Sequence, residues 1–189
     1  IGYIAGQNNQ GTCSIAIGNN SGHDTQGSYS IAIGHEAGIE KQSSNSIAIG
    51  VFSGNSTQGT QSVAIGSSSG SNKQGPFSIA IGSNSGEYTQ GANSIAIGTD
   101  SGNDNQKNYS IAIGSNSGNF YQNEFAIAIG NAAGQETQGT NSIAIGYNAG
   151  NGLQGANSIA IGVDAATVNQ ASNCIVLNAT GSVLQNTTS

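Results

Sequence analysis

The sequence predicts an all-β rod, a parallel β-solenoid of 16 residues per coil and about twelve coils. Three observations carry that expectation. A 16-residue unit recurs without insertion or deletion, each unit opens on the same five-residue strand signature, and all charged and aromatic residues avoid the same positions.

Let Ser14 to Tyr29, SIAIGNNSGHDTQGSY, define columns 1 to 16; the next units start at Ser30, Ser46, Ser62, Ser78, Ser94, Ser110, Ala126, Ser142, Ser158 and Cys174. Column 2 is Ile except Val63, and column 4 is Ile from Ile1 to Ile161 and then Leu177. Column 3 is Ala from Ala16 to Ala160, followed by Val176. Columns 5 and 9 are Gly through Gly162 and Gly150 respectively, and column 13 is Gln from Gln10 to Gln170.

Columns 1 to 5 alternate small, Ile, Ala, Ile, Gly, the period-2 pattern of a strand with β-branched residues on one face. The glycines at columns 5 and 9 bracket a short turn. A second, more polar strand spans columns 10 to 13, and another turn returns the chain to column 1. At ~4.8 Å per coil, twelve coils make a rod of ~57 Å. The glutamines Gln26, Gln42, Gln58, Gln74, Gln90, Gln106, Gln122, Gln138, Gln154 and Gln170 then stack as a structural amide ladder, each donating to the next.

All twelve charges and all ten aromatics fall outside columns 1–5, 8, 9 and 13, which places those columns inside. Two faces follow from the alternation. The aliphatic face (Ile15, Ile17, Ile31, Ile33, Ile95, Ile97, Ile111 and Ile113 among others) is expected to fill the coil as its core. The small face (Ala16, Ala32, Ala48, Ala64, Ala80, Ala96, Ala112) is expected to lie against a partner chain, because even Thr or Lys is excluded there. Two buried aliphatics are little apolar burial for sixteen ordered residues, so a lone stack looks undersupplied and self-association with cyclic symmetry is expected.

Composition fits a repeat and excludes several classes. Hydrophobic residues are 35% and charged residues 6%, with 30 Gly, one Pro and neither Met nor Trp. Disordered chains are low in apolar residues but rich in charge and proline, and this one is neither. A net charge of −6, with Lys41, Lys73 and Lys107 the only Lys or Arg, argues against a nucleic-acid partner. No apolar run is long enough to insert in a membrane. The chain opens at Ile1 in mid-repeat and so reads as a piece of a longer protein, which leaves its targeting undetermined. Cys13 and Cys174 lie some ten coils, or ~48 Å, apart and cannot pair within one chain.

At the SIAIG signature and its glycine turn, residues 1–173 resemble the SVAIG-type repeats of YadA-like heads in trimeric autotransporter adhesins. The resemblance implies a left-handed β-roll, a homotrimeric rod and small residues against the threefold axis. The stretch Asn173 to Ser182 resembles the exit from such repeats in phage and large DNA virus tail-fibre or fibril proteins. Asn178 replaces the column-5 glycine and Gln185 falls one place early, so 174–189 is expected to lead out of the solenoid.

Chemistry-bearing groups are sparse. His23 and His35 occupy different columns with no cysteine beside them, and solvated loop histidines are the better reading than a metal pair. Asp24, Glu40, Asp104 and Glu136 share column 11, but Ser56, Asn72, Tyr88 and Phe120 interrupt them. They read as surface charge rather than a calcium array. Asn19, Asn55, Asn178 and Asn186 begin N-x-S/T tripeptides, which are expected by chance in so Asn- and Ser-rich a chain. No catalytic set recurs and no cofactor is implied.

The expected function is therefore non-enzymatic. It is a structural and adhesive fibre segment on a virion surface or an extracellular or cell surface, with the head of a bacterial trimeric adhesin as the alternative. An ice-binding solenoid is disfavoured because column 12 (Thr25, Lys41, Thr57, Lys73, Thr89, Asn105, Tyr121) breaks any hydroxyl array. A polysaccharide-processing repeat would need a carboxylate cluster that this pattern lacks. Contacts with a host receptor or glycan are expected in the variable columns, at Tyr29, Phe77, Tyr88, Tyr109, Phe120, Tyr121 and Phe125.

Overall fold

Each unit closes into one coil whose two short strands stack on the same strands of the next unit. The computed structural model describes residues 1–180 and Ser182; the expected irregularity at Gln185 and the tripeptide at Asn186 lie outside the described residues. The described residues contain no helix.

The first sheet has eleven parallel strands, from Ile15–Ile17 through Ile95–Ile97 to Ile159–Gly162 and Ile175–Asn178. Its register is an offset of one unit throughout: Ile79 pairs with Ile95, Ala80 with Ala96 and Ile81 with Ile97. Identical residues therefore stack on identical residues along about 50 Å. The ladder continues into the expected exit segment, where Ile175–Asn178 pairs with Ile159–Gly162. The second sheet holds columns 12 and 13. It runs as six strands from Asn9–Gln10 to Thr89–Gln90 and resumes as the pair Thr137–Gln138 and Leu153–Gln154.

Column 5 must be glycine. At Gly98 φ is +128°, and an added Cβ would lie 2.6 Å from the carbonyl oxygen of Gly114 in the next coil. Columns 7 and 16 are left-handed in every regular coil without being glycine, for example Asn84 at φ 54° and Asn93 at φ 56°. Asn tolerates that conformation best, but column 16 also holds it at Tyr29, Phe77, Tyr109 and Phe125. Serine hydroxyls tie both turns. Ser94 Oγ donates to the Gly91 carbonyl at 2.6 Å, and Ser101 Oγ to that of Gly98 at 3.2 Å.

The period-2 alternation is as expected, but its direction is reversed. Ala16, Ala32, Ala48, Ala64, Ala80, Ala96 and Ala112 do not face a partner; they are buried in the lumen of their own coil. The aliphatics expected as core face outward. Ile15 and Ile17 are exposed, while Ile31, Ile33, Ile95, Ile97, Ile111 and Ile113 are half-buried. Lumen width is the physical reason. A Cβ added at Gly102 would stand 2.8 Å from Cδ of Gln106 and 3.2 Å from Cβ of Ala96, so Ala, Gly and Gln already fill the cross-section. Two branched side chains per coil do not fit.

The largest fully buried side chains are the glutamines. Each reaches across the lumen and donates to the column-2 carbonyl of its own coil: Gln26 to Ile15 at 2.7 Å, Gln58 to Ile47 at 2.6 Å, Gln106 to Ile95 at 2.8 Å. The expected amide-to-amide ladder is present at two links, Gln106 to Gln122 at 3.1 Å and Gln122 to Gln138 at 3.0 Å. In the other coils the amide is a brace between the two sheets. Gln106→Leu keeps the volume but orphans a buried carbonyl, and should destabilise the chain by about 1–3 kcal/mol. Denaturant melting checks this; an unshifted midpoint would mean the amide braces nothing.

Candidate interaction surfaces

The reversed alternation makes the outer face of the first sheet a continuous aliphatic stripe. It is two side chains wide, columns 2 and 4, and runs the length of the sheet. Its ends are the most open, with Ile15, Ile17, Ile175 and Leu177 all exposed. No charge occurs in either column. A contiguous apolar stripe of this length marks an interaction site on a soluble protein rather than bare surface.

The residues expected to make surface contacts are all exposed: Tyr29, Phe77, Tyr88, Tyr109, Phe120, Tyr121 and Phe125. They form two groups. Tyr29, Phe77, Tyr109 and Phe125 stand on the column-16 turn, where Tyr109 and Phe125 stack in successive coils with ring centres 5.2 Å apart and planes 2° from parallel. Tyr88, Phe120 and Tyr121 stand in columns 11 and 12, on the side of the coil that carries the second sheet. There Phe120, Tyr121, Glu136 and Thr137 line an open cleft of about 290 Å³.

The two histidines stay apart in role. His23 Nδ1 lies 2.8 Å from Asp24 Oδ1, whereas His35 sets its ring edge-on to Phe52. Among the described residues, no three His, Cys, Asp or Glu side chains gather as metal ligands would. Cys13 is exposed and Cys174 half-buried, and neither is in a disulfide. Asn178 is buried; its Nδ2 donates to the Val163 carbonyl at 2.7 Å and its Oδ1 accepts from the Thr180 amide.

Residues 58–85, 88–101 and 136–149 match the YadA head domain repeat. These are YadA head repeats. The matched segments lie in the same 16-residue register as the unmatched coils between them, so the YadA-like β-roll runs on through the stack. The chain is similar to YadA-like heads in these segments. No curated protein and no solved structure matches the chain.

Sequence reasoning found the two faces of the strand but exchanged their sides. The Ile columns belong with the outward surfaces, and the Ala columns with the interior. A signal for this was present: an invariant long polar residue, Gln, among invariant Gly, Ala and Ser is what a narrow, hydrogen-bonded lumen requires.

Proposed function

We propose that the chain is the head segment of a homotrimeric surface fibre. Three copies bury their aliphatic stripes against one another around a threefold axis and present their opposite faces outward for attachment. The aliphatic stripe carries this reading. Its columns repeat in register over eleven strands, so a second and third copy can match it coil for coil without any further complementarity. The YadA head repeats support the same arrangement, a place on the cell surface or outside the cell, and a role in adhesion. The rod holds a shape and displays side chains; it has no catalytic task. Host attachment falls to the exposed aromatics, and a phage or viral tail fibre is the setting we favour over a bacterial autotransporter because of the exit-like stretch from Cys174.

Sedimentation equilibrium tests the assembly. The expected mass is three times the 18.7 kDa of one chain. A folded monomer at micromolar concentration would refute the proposal.

A further inference from the structure

Among the described residues the second sheet is reduced to single bridges at three coils, two of them adjacent and the third at Gln154 to Gln170, where Asn169 has φ 39°. Between Thr89–Gln90 and Thr137–Gln138 its strands give way to single bridges, Gln90 to Gln106 and Gln122 to Gln138. At these coils column 12 leaves the extended region: Asn105 has φ 60° and Tyr121 φ 25°. Positive φ is common in the turns of this rod, even at aromatic residues, but where the second strand forms, column 12 is extended, so the backbone at Tyr121 sets its ring differently from the column-12 side chains of the regular coils. Tyr121 is also one of the walls of the 290 Å³ cleft, with Phe120, Glu136 and Thr137.

Charge distinguishes this cleft from the rest of the surface. Lys107 is the last cation in the chain; from Asn108 onward there is no Lys, Arg or His, while Glu124, Glu136 and Asp164 remain. The Glu136 carboxylate is exposed and, among the described residues, takes part in no ion pair or side-chain hydrogen bond. Two aromatic rings beside an uncompensated carboxylate attract a cation twice over, through the ring quadrupole and through the charge. The cleft offers the Glu136 carboxylate, the two hydroxyls of Tyr121 and Thr137, and ring faces; the carboxylate is what favours a cation over a neutral sugar.

We propose that Phe120, Tyr121 and Glu136 form a docking site for an alkylammonium group, the head of a lysine side chain on a basic partner protein. The open cleft suits a side chain presented from a surface, and a chain of net charge −6 complements a basic one. The site lies on the second sheet, away from the aliphatic stripe, so three copies joined through their stripes leave it uncovered. This names the ligand chemistry of the attachment surface proposed above and rests on that reading for its biological use alone.

The test is a titration of the full chain with Nα-acetyl-lysine methylamide, followed by the ring resonances of Phe120 and Tyr121. The isosteric norleucine amide and methyl glucoside serve as neutral probes. Lysine amide should bind in the millimolar range, more weakly at high salt, and norleucine amide should not. Glu136→Gln and Phe120→Leu should each weaken it by about threefold or more, with the melting temperature of each variant recorded to show the rod intact. Norleucine binding equally well, affinity unmoved by Glu136→Gln, glucoside binding in place of lysine, or no binding at tens of millimolar would each overturn the site. None of these outcomes touches the assembly state, which sedimentation reads separately.

Discussion

Ile97→Asp is expected to yield chains that fold but do not assemble. Ile97 is in the middle of the rod, half-buried in its own chain and pointing out of the coil. In a single chain, aspartate there meets water and costs little. In the trimer it places three carboxylates at one level of an apolar axis with no cation near, and burying unpaired charge costs several kcal/mol. Sedimentation should report monomer, or a trimer that dissociates at far higher concentration than wild type, while circular dichroism keeps its β signal. A trimer of unchanged stability would show that the stripe is not the interface.

Ala96→Lys should do the opposite and abolish the fold locally. Ala96 is fully buried, with its Cβ against the space that Gly102 leaves and the Gln106 amide occupies. A lysine chain has no room there and its ammonium no counter-charge, so the coil must open or expel it, at a cost of several kcal/mol. Loss of cooperative melting in an otherwise soluble chain is the expected result. If Ala96→Lys instead left the melt intact and only lowered the mass in solution, the Ala face would be the interface after all.

Most of the architecture was readable from the chain. The unit length follows from Gln10 to Gln170 recurring without slippage, the strand from SIAIG, and the turns from Gly98 and Gly102 and their column mates. Direction was not readable by the usual rule that aliphatics go inside. Period-2 alternation defines two faces and is silent on which one is enclosed. The deciding quantity is lumen width, a tertiary property, and here it admits Ala96, Gly102 and Gln106 but not Ile97. The exclusion of charge from columns 2 and 4 was real, yet those columns form an outward apolar stripe rather than a core. The cleft at Phe120 and Tyr121 was legible as exposed aromatics only. Its shape depends on the left-handed backbone at Tyr121, which no local pattern of the sequence announces.

The glutamine brace has a mechanical consequence. Because Gln90 ties the second strand of its coil to the Ile79 carbonyl of the same coil, each coil is closed upon itself and otherwise bonded only to the coils above and below. Under tension along its axis such a stack has no long-range contact to share the load, so it yields at an end, one coil at a time. Each coil released frees sixteen residues, roughly 50 Å of slack once extended, for the loss of a single rung. A stack built this way is short and stiff at rest but can lengthen severalfold under tension, and it can re-close from the intact coils when the pull relaxes.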